Sequence, residues 1–245
     1  MKKIILSALT VGVLFVSTSV FAQITVGPKI GYNLSSIKEK VISAGTGLSD
    51  GDIKNNSGFN VGVMMNAQIG KYFSIRPELL YNQAGFKYKN SGSFIGTIIT
   101  DESTINYSYL SIPVNFVGHI PLNDNFKLQG IFGVTTSFGL SGKAESTTTY
   151  SNGKPTETST STIKMKKDPN ATNDNNVYFN ALDMGLNFGI GCQYKALVFS
   201  AVYNMGLSNI DAHNANQTYE EQRGKDYKLY NKSMSFSVAY LFGGK

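Results

Sequence analysis

Large apolar and small polar residues alternate with period two along the segment 231–242. The large residues of this segment are Met234, Phe236, Val238, Tyr240 and Phe242. Serine and alanine fill most of the positions between them, and two such unlike faces are typical of a β-strand that separates two environments. In a soluble sandwich the apolar face packs into a core. In an outer-membrane barrel it faces lipid, and the small polar face lines the interior.

The same alternation predicts seven more strands. The eight segments are approximately 24–36, 58–70, 73–89, 105–120, 126–145, 177–195, 197–210 and 231–242. Each is long enough for the roughly 9–11 residues that a tilted membrane-spanning strand needs. Because only helices and closed barrels satisfy all their backbone groups in lipid, strands that span a membrane must form a barrel.

The links between these segments alternate between short and long. Tight turns are predicted at 70–72, 122–125 and 194–196, and long polar links at about 37–57, 90–104, 146–176 and 211–230. Outer-membrane barrels distribute periplasmic turns and extracellular loops in this way, whereas a soluble sandwich has no reason to place every long loop at one end. We therefore expect an all-β fold, an eight-stranded antiparallel transmembrane barrel with an OmpA/OmpX-like up-and-down meander. Both termini are expected in the periplasm.

The link 146–176 contains a hairpin signal of its own. Asn152-Gly153 lies between arms rich in serine and threonine, a sequence that favours a two-residue turn. We expect the arms to extend the fifth and sixth strands beyond the membrane. For 164–176 a disordered loop is an equal alternative.

The N-terminus has the pattern of a secretory signal peptide. Lys2 and Lys3 precede an apolar stretch at 4–16, and Val20-Phe21-Ala22 fits a small-residue cleavage site. This pattern predicts a cleaved signal peptide at 1–22 and an outer-membrane β-barrel domain at 23–245. An N-terminal membrane anchor is the alternative, which the shortness of the apolar stretch disfavours.

Composition agrees with an exported barrel. The net charge is +6, it falls to +4 without Lys2 and Lys3, and no basic block suits nucleic acid. The single cysteine, Cys192, cannot form an internal disulfide. The 25 glycines, 14 tyrosines and 15 phenylalanines suit a narrow barrel with crowded interior positions and aromatic girdles.

Five segments resemble the PorT-type outer-membrane β-barrel family of Gram-negative bacteria. They are GPKIGYN at 27–33, RPELLY at 76–81, YLSIPV at 109–114, GLNFGIG at 185–191 and YNMGLSNI at 203–210. The resemblance implies a barrel fold and a location in the outer membrane. A barrel in that membrane is expected to contact outer-membrane lipid, lipopolysaccharide and the barrel assembly machinery. It also implies one specific role, as an accessory to protein secretion across the outer membrane, although a fold does not fix a function.

Five charged residues fall on the predicted interior face. They are Lys29, Arg76, Glu78, Lys127 and Asp183. An eight-stranded barrel is just wide enough for side chains to fill, and charges far from bulk water need partners. We expect an internal ion-pair network that plugs the barrel, with Lys127 and Asp183 on neighbouring strands. A gated conduit is the alternative.

Catalytic, metal and cofactor sites have little support in the sequence. The two histidines are His119, near a predicted periplasmic turn, and His213, in an outer link. A lipid hydrolase needs a histidine, a serine and an orienting acid together, and no spacing assembles them, although Ser208 lies close to His213. We expect no enzymatic activity, no cofactor and no metal.

Three lysines in the link 146–176 are candidates for contact with lipopolysaccharide. They are Lys164, Lys166 and Lys167, whose ammonium groups could pair with its phosphates. A solvated charged rim is the alternative. The expected function is structural or in interaction. A narrow transporter for small or amphipathic solutes is the second hypothesis, and an outer-membrane lipid hydrolase is the third.

Overall fold

All the regular elements in the described part of the chain are β-strands. The structure is a computed structural model that describes residues 23–40, 53–166, 176–212 and 228–243, so the predicted signal peptide at 1–22 lies outside the described residues. The strands are β1 (Gln23–Lys40), β2 (Ile53–Ile69), β3 (Phe73–Phe94), β4 (Thr97–Pro121), β5 (Phe126–Tyr150), β6 (Glu157–Met165), β7 (Val177–Phe179), β8 (Leu182–Tyr194), β9 (Leu197–Gly206) and β10 (Lys228–Tyr240). The all-β prediction is confirmed.

No helix in the described parts of the chain is long and apolar enough to cross a bilayer.

Eight of the strands form an antiparallel ring. The order of neighbours is β1, β2, β3, β4, β5, β8, β9 and β10, and β10 pairs with β1 from Ala239 opposite Lys29 to Lys228 opposite Lys40. Each of the eight strands therefore has a neighbour on both sides, which leaves the ring without a free edge. This is the eight-stranded up-and-down meander that the sequence predicts.

The ring directs its large apolar side chains outward. Exposed residues of the outer wall include Ile30, Phe59, Val61, Phe116, Phe132, Ile190 and Phe236. Buried residues of the interior include Asn33, Asn60, Arg76, Asn115, Gln129 and Asn187. An apolar outside and a polar inside suit a wall that faces lipid.

The two ends of the ring differ. One end, which we call the turn end, carries the tight turns at 70–72, 122–125 and 195–196, and there Val26 pairs with Phe242. At the opposite end, the loop end, an apolar cluster fills the interior. It consists of Ile37, Ala84, Phe86, Tyr107, Tyr109, Ala144, Ile163, Phe179, Ile210 and Leu229. We call this cluster the apolar cap. Three of its members come from outside the ring strands, namely Ile163 of β6, Phe179 of β7 and Ile210.

The prediction of a long polar link at 90–104 is wrong. β3 and β4 continue through it as a hairpin in which Phe94 pairs with Thr97. Ile95 and Gly96 form the turn, with φ of 48° and 73°, and positive φ at both positions is what a tight hairpin turn requires. The segment was missed because its side chains lie in water on both faces, so they carry no apolar alternation.

A second hairpin follows β5 at Asn152-Gly153, as predicted, but its connection is longer than the predicted two-residue turn, because residues 151–156 separate Tyr150 from Glu157. β6 returns beside β5 with Glu157 opposite Thr148, and Gly153 has φ of 80°. The returning arm does not extend the sixth ring strand, however. The predicted strand 177–195 divides into β8 and the short β7, which pairs in parallel with β6.

Two glycines of β5 provide a test of the interior packing. A Cβ added at the inward Gly133 would lie 2.3 Å from the Val114 carbonyl oxygen, whereas one added at the outward Gly130 would meet nothing within 4 Å. We expect Gly133→Ala to lower the free energy of unfolding by about 1–3 kcal/mol through overpacking. Gly130→Ala is expected to change it little. Urea unfolding in detergent measures both, and equal midpoints would contradict this packing.

Candidate functional site

A buried ion pair lies in the middle of the interior. Nζ of Lys29 on β1 donates to Oε2 of Glu78 on β3 at 2.6 Å, and the two side chains are only 8% and 3% exposed. Asn115 donates to the other carboxylate oxygen at 3.4 Å. Additional hydrogen bonds of this kind are what a buried pair needs to offset the loss of water.

Arg76 is satisfied by amides rather than by a carboxylate. Its side chain is fully enclosed, and both terminal nitrogens donate to Oε1 of Gln129 at 3.1 Å. Nε donates to Oδ1 of Asn66 at 3.3 Å. Arg76 and Glu78 share the interior face, as predicted from their spacing, but Glu78 forms its short contact with Lys29.

Asp183 lies near the loop end, below the apolar cap. It accepts hydrogen bonds from Ser208 at 2.8 Å and from Asn231 at 2.7 Å. Asn231 in turn accepts from the hydroxyl of Tyr107 at 2.5 Å and donates to that of Tyr109 at 3.2 Å. The carboxylate is thus joined to two tyrosines of the cap through one amide.

Lys127 does not join the predicted network. Along the β5–β8 ladder it lies opposite Gln193, whereas Asp183 lies opposite Ser137. The two residues are on neighbouring strands but ten positions apart, so the pairing suggested by their adjacency does not form. Lys127 instead lines a polar recess of about 360 Å³ at the turn end.

Amide side chains connect the central charges. Asn187 donates to Asn115 and Asn204 donates to Asn187, both at 2.8 Å. Nearer the loop end, Asn60 donates to Asn33 at 2.7 Å. Sequence reasoning missed this network, although its signal was present as asparagines on the inward positions of several strands. The space left in this central region is about 80 Å³.

A serine and a histidine that the sequence did not connect are brought together. Oγ of Ser74 lies 2.8 Å from Nε2 of His119, and both residues are buried beside Arg76. The other ring nitrogen of His119 faces the Gln129 amide at 3.5 Å rather than an acid. Ser208 bonds Asp183, and His213 lies outside the described residues. Neither described pair therefore combines a serine, a histidine and an acid as nucleophilic catalysis requires.

Within the described ranges, no group of three or more His, Cys, Asp or Glu side chains is arranged to hold a metal ion.

Beyond the apolar cap, β3, β4, β5 and β6 continue as a sheet of four short segments. We call the segments 88–94, 97–104, 145–150 and 157–162 the projecting sheet; none of their described side chains is buried. Serine and threonine link its strands, as in the 2.8 Å contact between Ser103 and Ser146. A hydrogen bond from Lys89, with its charge, lowers the pKa of the exposed Glu102 carboxyl from its ordinary value.

The three lysines considered for lipopolysaccharide lie where β6 ends. Nζ of Lys164 is 5.7 Å from the ring centroid of Tyr178, and Lys166 is exposed. Lys167 lies outside the described residues. Their contact with lipopolysaccharide stays a prediction.

A family model matches most of the chain. The family model described as outer membrane protein beta-barrel domain matches residues 17–212. Among solved structures, the attachment invasion locus protein Ail of Yersinia pestis is 15% identical, with 91% of this chain and 100% of that one covered and a TM-score of 0.37. Neisserial surface protein A is 13% identical over 88% of this chain and 97% of its own, with a TM-score of 0.33. No curated protein matches the sequence.

Removal of one member of the central ion pair tests its importance for the fold. We expect Glu78→Ala to lower the free energy of unfolding by about 3–5 kcal/mol, because it leaves the Lys29 charge buried without its partner. The double variant Lys29→Met, Glu78→Leu is expected to recover most of this loss, since it removes both charges. Urea titration of the detergent-solubilised barrel measures each variant.

The Lys143–Glu145 pair is a matched control. Its charged atoms are also 2.6 Å apart, but the side chains are 58% and 49% exposed. Glu145→Ala is expected to change the free energy of unfolding by less than about 1 kcal/mol. Similar losses for Glu78→Ala and Glu145→Ala would show that burial is not what makes the central pair important.

Proposed function

Because the chain belongs to the outer membrane protein beta-barrel domain family, we propose that it is a closed membrane anchor whose role is structural or in interaction. The observation that carries this proposal is that the same strands have different surroundings inside the ring and beyond it. Inside the ring their polar side chains contact one another, whereas beyond the apolar cap the same strands form a sheet exposed to water. A filled barrel fixes the position of such a sheet relative to the membrane.

The orientation follows from the general design of outer-membrane barrels. Short turns face the periplasm and long connections face the outside. The turn end, with 70–72, 122–125 and 195–196, then lies in the periplasm, and the projecting sheet lies outside the cell. Its serine-rich and threonine-rich strands offer hydroxyl groups to an external partner, and Lys164 and Lys166 at the end of β6 offer charges to lipopolysaccharide phosphates.

Transport is the second candidate and has weaker support. The central space of about 80 Å³ has room for only a small number of water molecules. The apolar cap also closes the loop end. A solute would have to displace the Lys29–Glu78 pair and the cap to pass.

An accessory role in secretion is the specific version that the PorT resemblance suggests. Such a role would use either the projecting sheet or the periplasmic turns to contact secretion components. A lipid hydrolase has the least support, because the Ser74–His119 pair is enclosed in the interior, away from the membrane surface where a lipid substrate would bind.

Affinity capture from crosslinked native outer membranes tests the interaction role. We expect the protein to enrich at least one partner protein, with secretion-channel subunits as the outcome that supports an accessory role. A shortened variant, with 89–102 replaced by Asn-Gly after Tyr88 and before Ser103, which pair directly, keeps the ring and removes half of the projecting sheet. Loss of the partner from this variant would assign the contact to the β3–β4 half of the projecting sheet. Its retention would assign the contact to the remaining β5–β6 half or to the turn end. Recovery of lipopolysaccharide alone would refute the interaction role.

Conductance in planar lipid bilayers separates the anchor from the transporter. We expect neither the wild-type protein nor Glu78→Ala to give a steady conductance, because the amide network and the apolar cap remain in both. An open porin in the same bilayer is the positive control. A large conductance from the wild-type protein would favour transport over a closed anchor.

A further inference from the structure

A groove crosses the outer wall of the ring near the turn end. Its floor is made by Gly118 on β4 and Gly130 on β5, which pair directly with each other. A Cβ added at either glycine would meet nothing within 4 Å. They lie in a larger apolar recess of about 750 Å³, whose lining extends from β2 on one side to β9 and β10 on the other. Two paired positions without side chains therefore leave a hollow two strands wide.

Large side chains border this floor on the side toward the loop end. They form one row of directly paired residues across β3, β4, β5 and β8, namely Ile75, Phe116, Phe132 and Phe188. The rings of Phe132 and Phe188 are in contact, with centroids 5.4 Å apart. On the turn-end side, Ile120 and Leu128 form the opposite border. The hollow therefore lies between two apolar ridges, and in its own row it is bounded by Phe73, opposite Gly118, and by Ile190, opposite Gly130.

The groove reaches the turn end at β3. Phe73, the first residue of that strand, lies opposite Gly118, and the turn 70–72 precedes it directly. Lys71 in this turn is exposed, and its Nζ lies 5.6 Å from the ring centroid of Tyr72. A tyrosine and a lysine together are the usual anchors of a wall at the boundary between lipid and water. One end of the apolar groove thus carries a cation at that boundary.

We propose that this groove binds one phospholipid of the periplasmic leaflet, with an acyl chain on the Gly118–Gly130 floor and the phosphate at Lys71. The wall is immersed in acyl chains, and a single chain is narrow enough to lie between the two ridges. The ammonium of Lys71 supplies the charge that complements a phosphate. The convex wall of a second copy would meet the ridges before it reached the floor. The inference rests on the membrane location and on the orientation given with the proposed function, but not on the role as a closed anchor.

Photocrosslinking tests the acyl-chain site. The full-length protein is reconstituted in vesicles of phosphatidylethanolamine and phosphatidylglycerol that contain phosphatidylethanolamine with a diazirine in one acyl chain, and crosslinked peptides are mapped by mass spectrometry. We expect crosslinks to concentrate at Phe73, Phe116 and Phe132 relative to the exposed Phe138 on β5. Equal labelling around the wall would overturn the proposal, as would crosslinks between two copies at this groove.

Filling the floor is the decisive variant. Gly118→Leu and Gly130→Leu place a side chain where the structure has open space, so the ring is expected to fold while the concentrated crosslinks are lost. Thr136→Leu adds the same side chain on the outer face of β5, six residues from Gly130, and is expected to keep them. Unchanged labelling in both glycine variants would show that the floor is not the site.

The position of the phosphate is tested separately. Lys71→Glu is expected to reduce the crosslinks at Phe73. Lys195→Glu is the matched control, because Lys195 also lies in a tight turn with Nζ 5.5 Å from the ring centroid of Tyr194. Equal effects of the two substitutions would overturn the assignment of the phosphate to Lys71. Displacement of the photoreactive phospholipid by added lipopolysaccharide, in detergent micelles, would overturn the choice of phospholipid.

Discussion

The pairing of the last strand with the first is the constraint on which the rest of the structure depends. In a lipid environment an unpaired strand edge leaves a row of backbone groups without hydrogen-bond partners, at a cost of several kcal/mol for each group. The β1–β10 ladder removes that edge. With eight strands the closed ring has an interior that side chains just fill. Closure therefore decides the interior chemistry, because polar side chains directed inward must satisfy one another rather than water.

Four interior charges meet that requirement in three different ways. Lys29 and Glu78 neutralise each other at short range. Arg76 keeps its charge and is solvated by the oxygens of two amides, and Asp183 is solvated by a hydroxyl and an amide N–H. Amide side chains suit this task because each has both donors and acceptors, so one asparagine can contact a charge and also continue the network. An ion pair alone satisfies its two charges but does not extend the hydrogen-bond network to further side chains.

The sequence predicts the ring well and its ends less well, for physical reasons. Alternation depends on a contrast between two faces, and lipid outside with amides inside gives that contrast along every ring strand. The β3–β4 hairpin beyond Tyr88 has water on both faces, so its strands carry no such signal. The apolar cap was missed for a related reason: Tyr107 and Tyr109 face inward beside a register shift between Ser108 and Tyr109. There the inner face becomes apolar and the alternation no longer separates inside from outside.

Side-chain contacts between strands are harder to predict from the sequence than the strands themselves. The sequence predicts that Lys127 and Asp183 lie on neighbouring strands, and they do. The register of the β5–β8 ladder, which the sequence does not determine, places them ten positions apart. The same limit hid the contact between Ser74 and His119, whose strands pair with Ser74 opposite Val117.

Glycine shows how one residue type serves both faces of the wall. Inside, the absence of a side chain at Gly133 allows Val114 and Asn115 to approach closely, which makes the dense packing of the interior possible. Outside, Gly118 and Gly130 lie over open space, where no neighbouring side chain of the described chain gains from their small size. A glycine within a strand weakens it and often marks a place where another group approaches closely. No group of the described chain comes within 4 Å of a Cβ added at either of these two positions, and the medium around this part of the wall is lipid, so an acyl chain is the group that the open floor would accommodate.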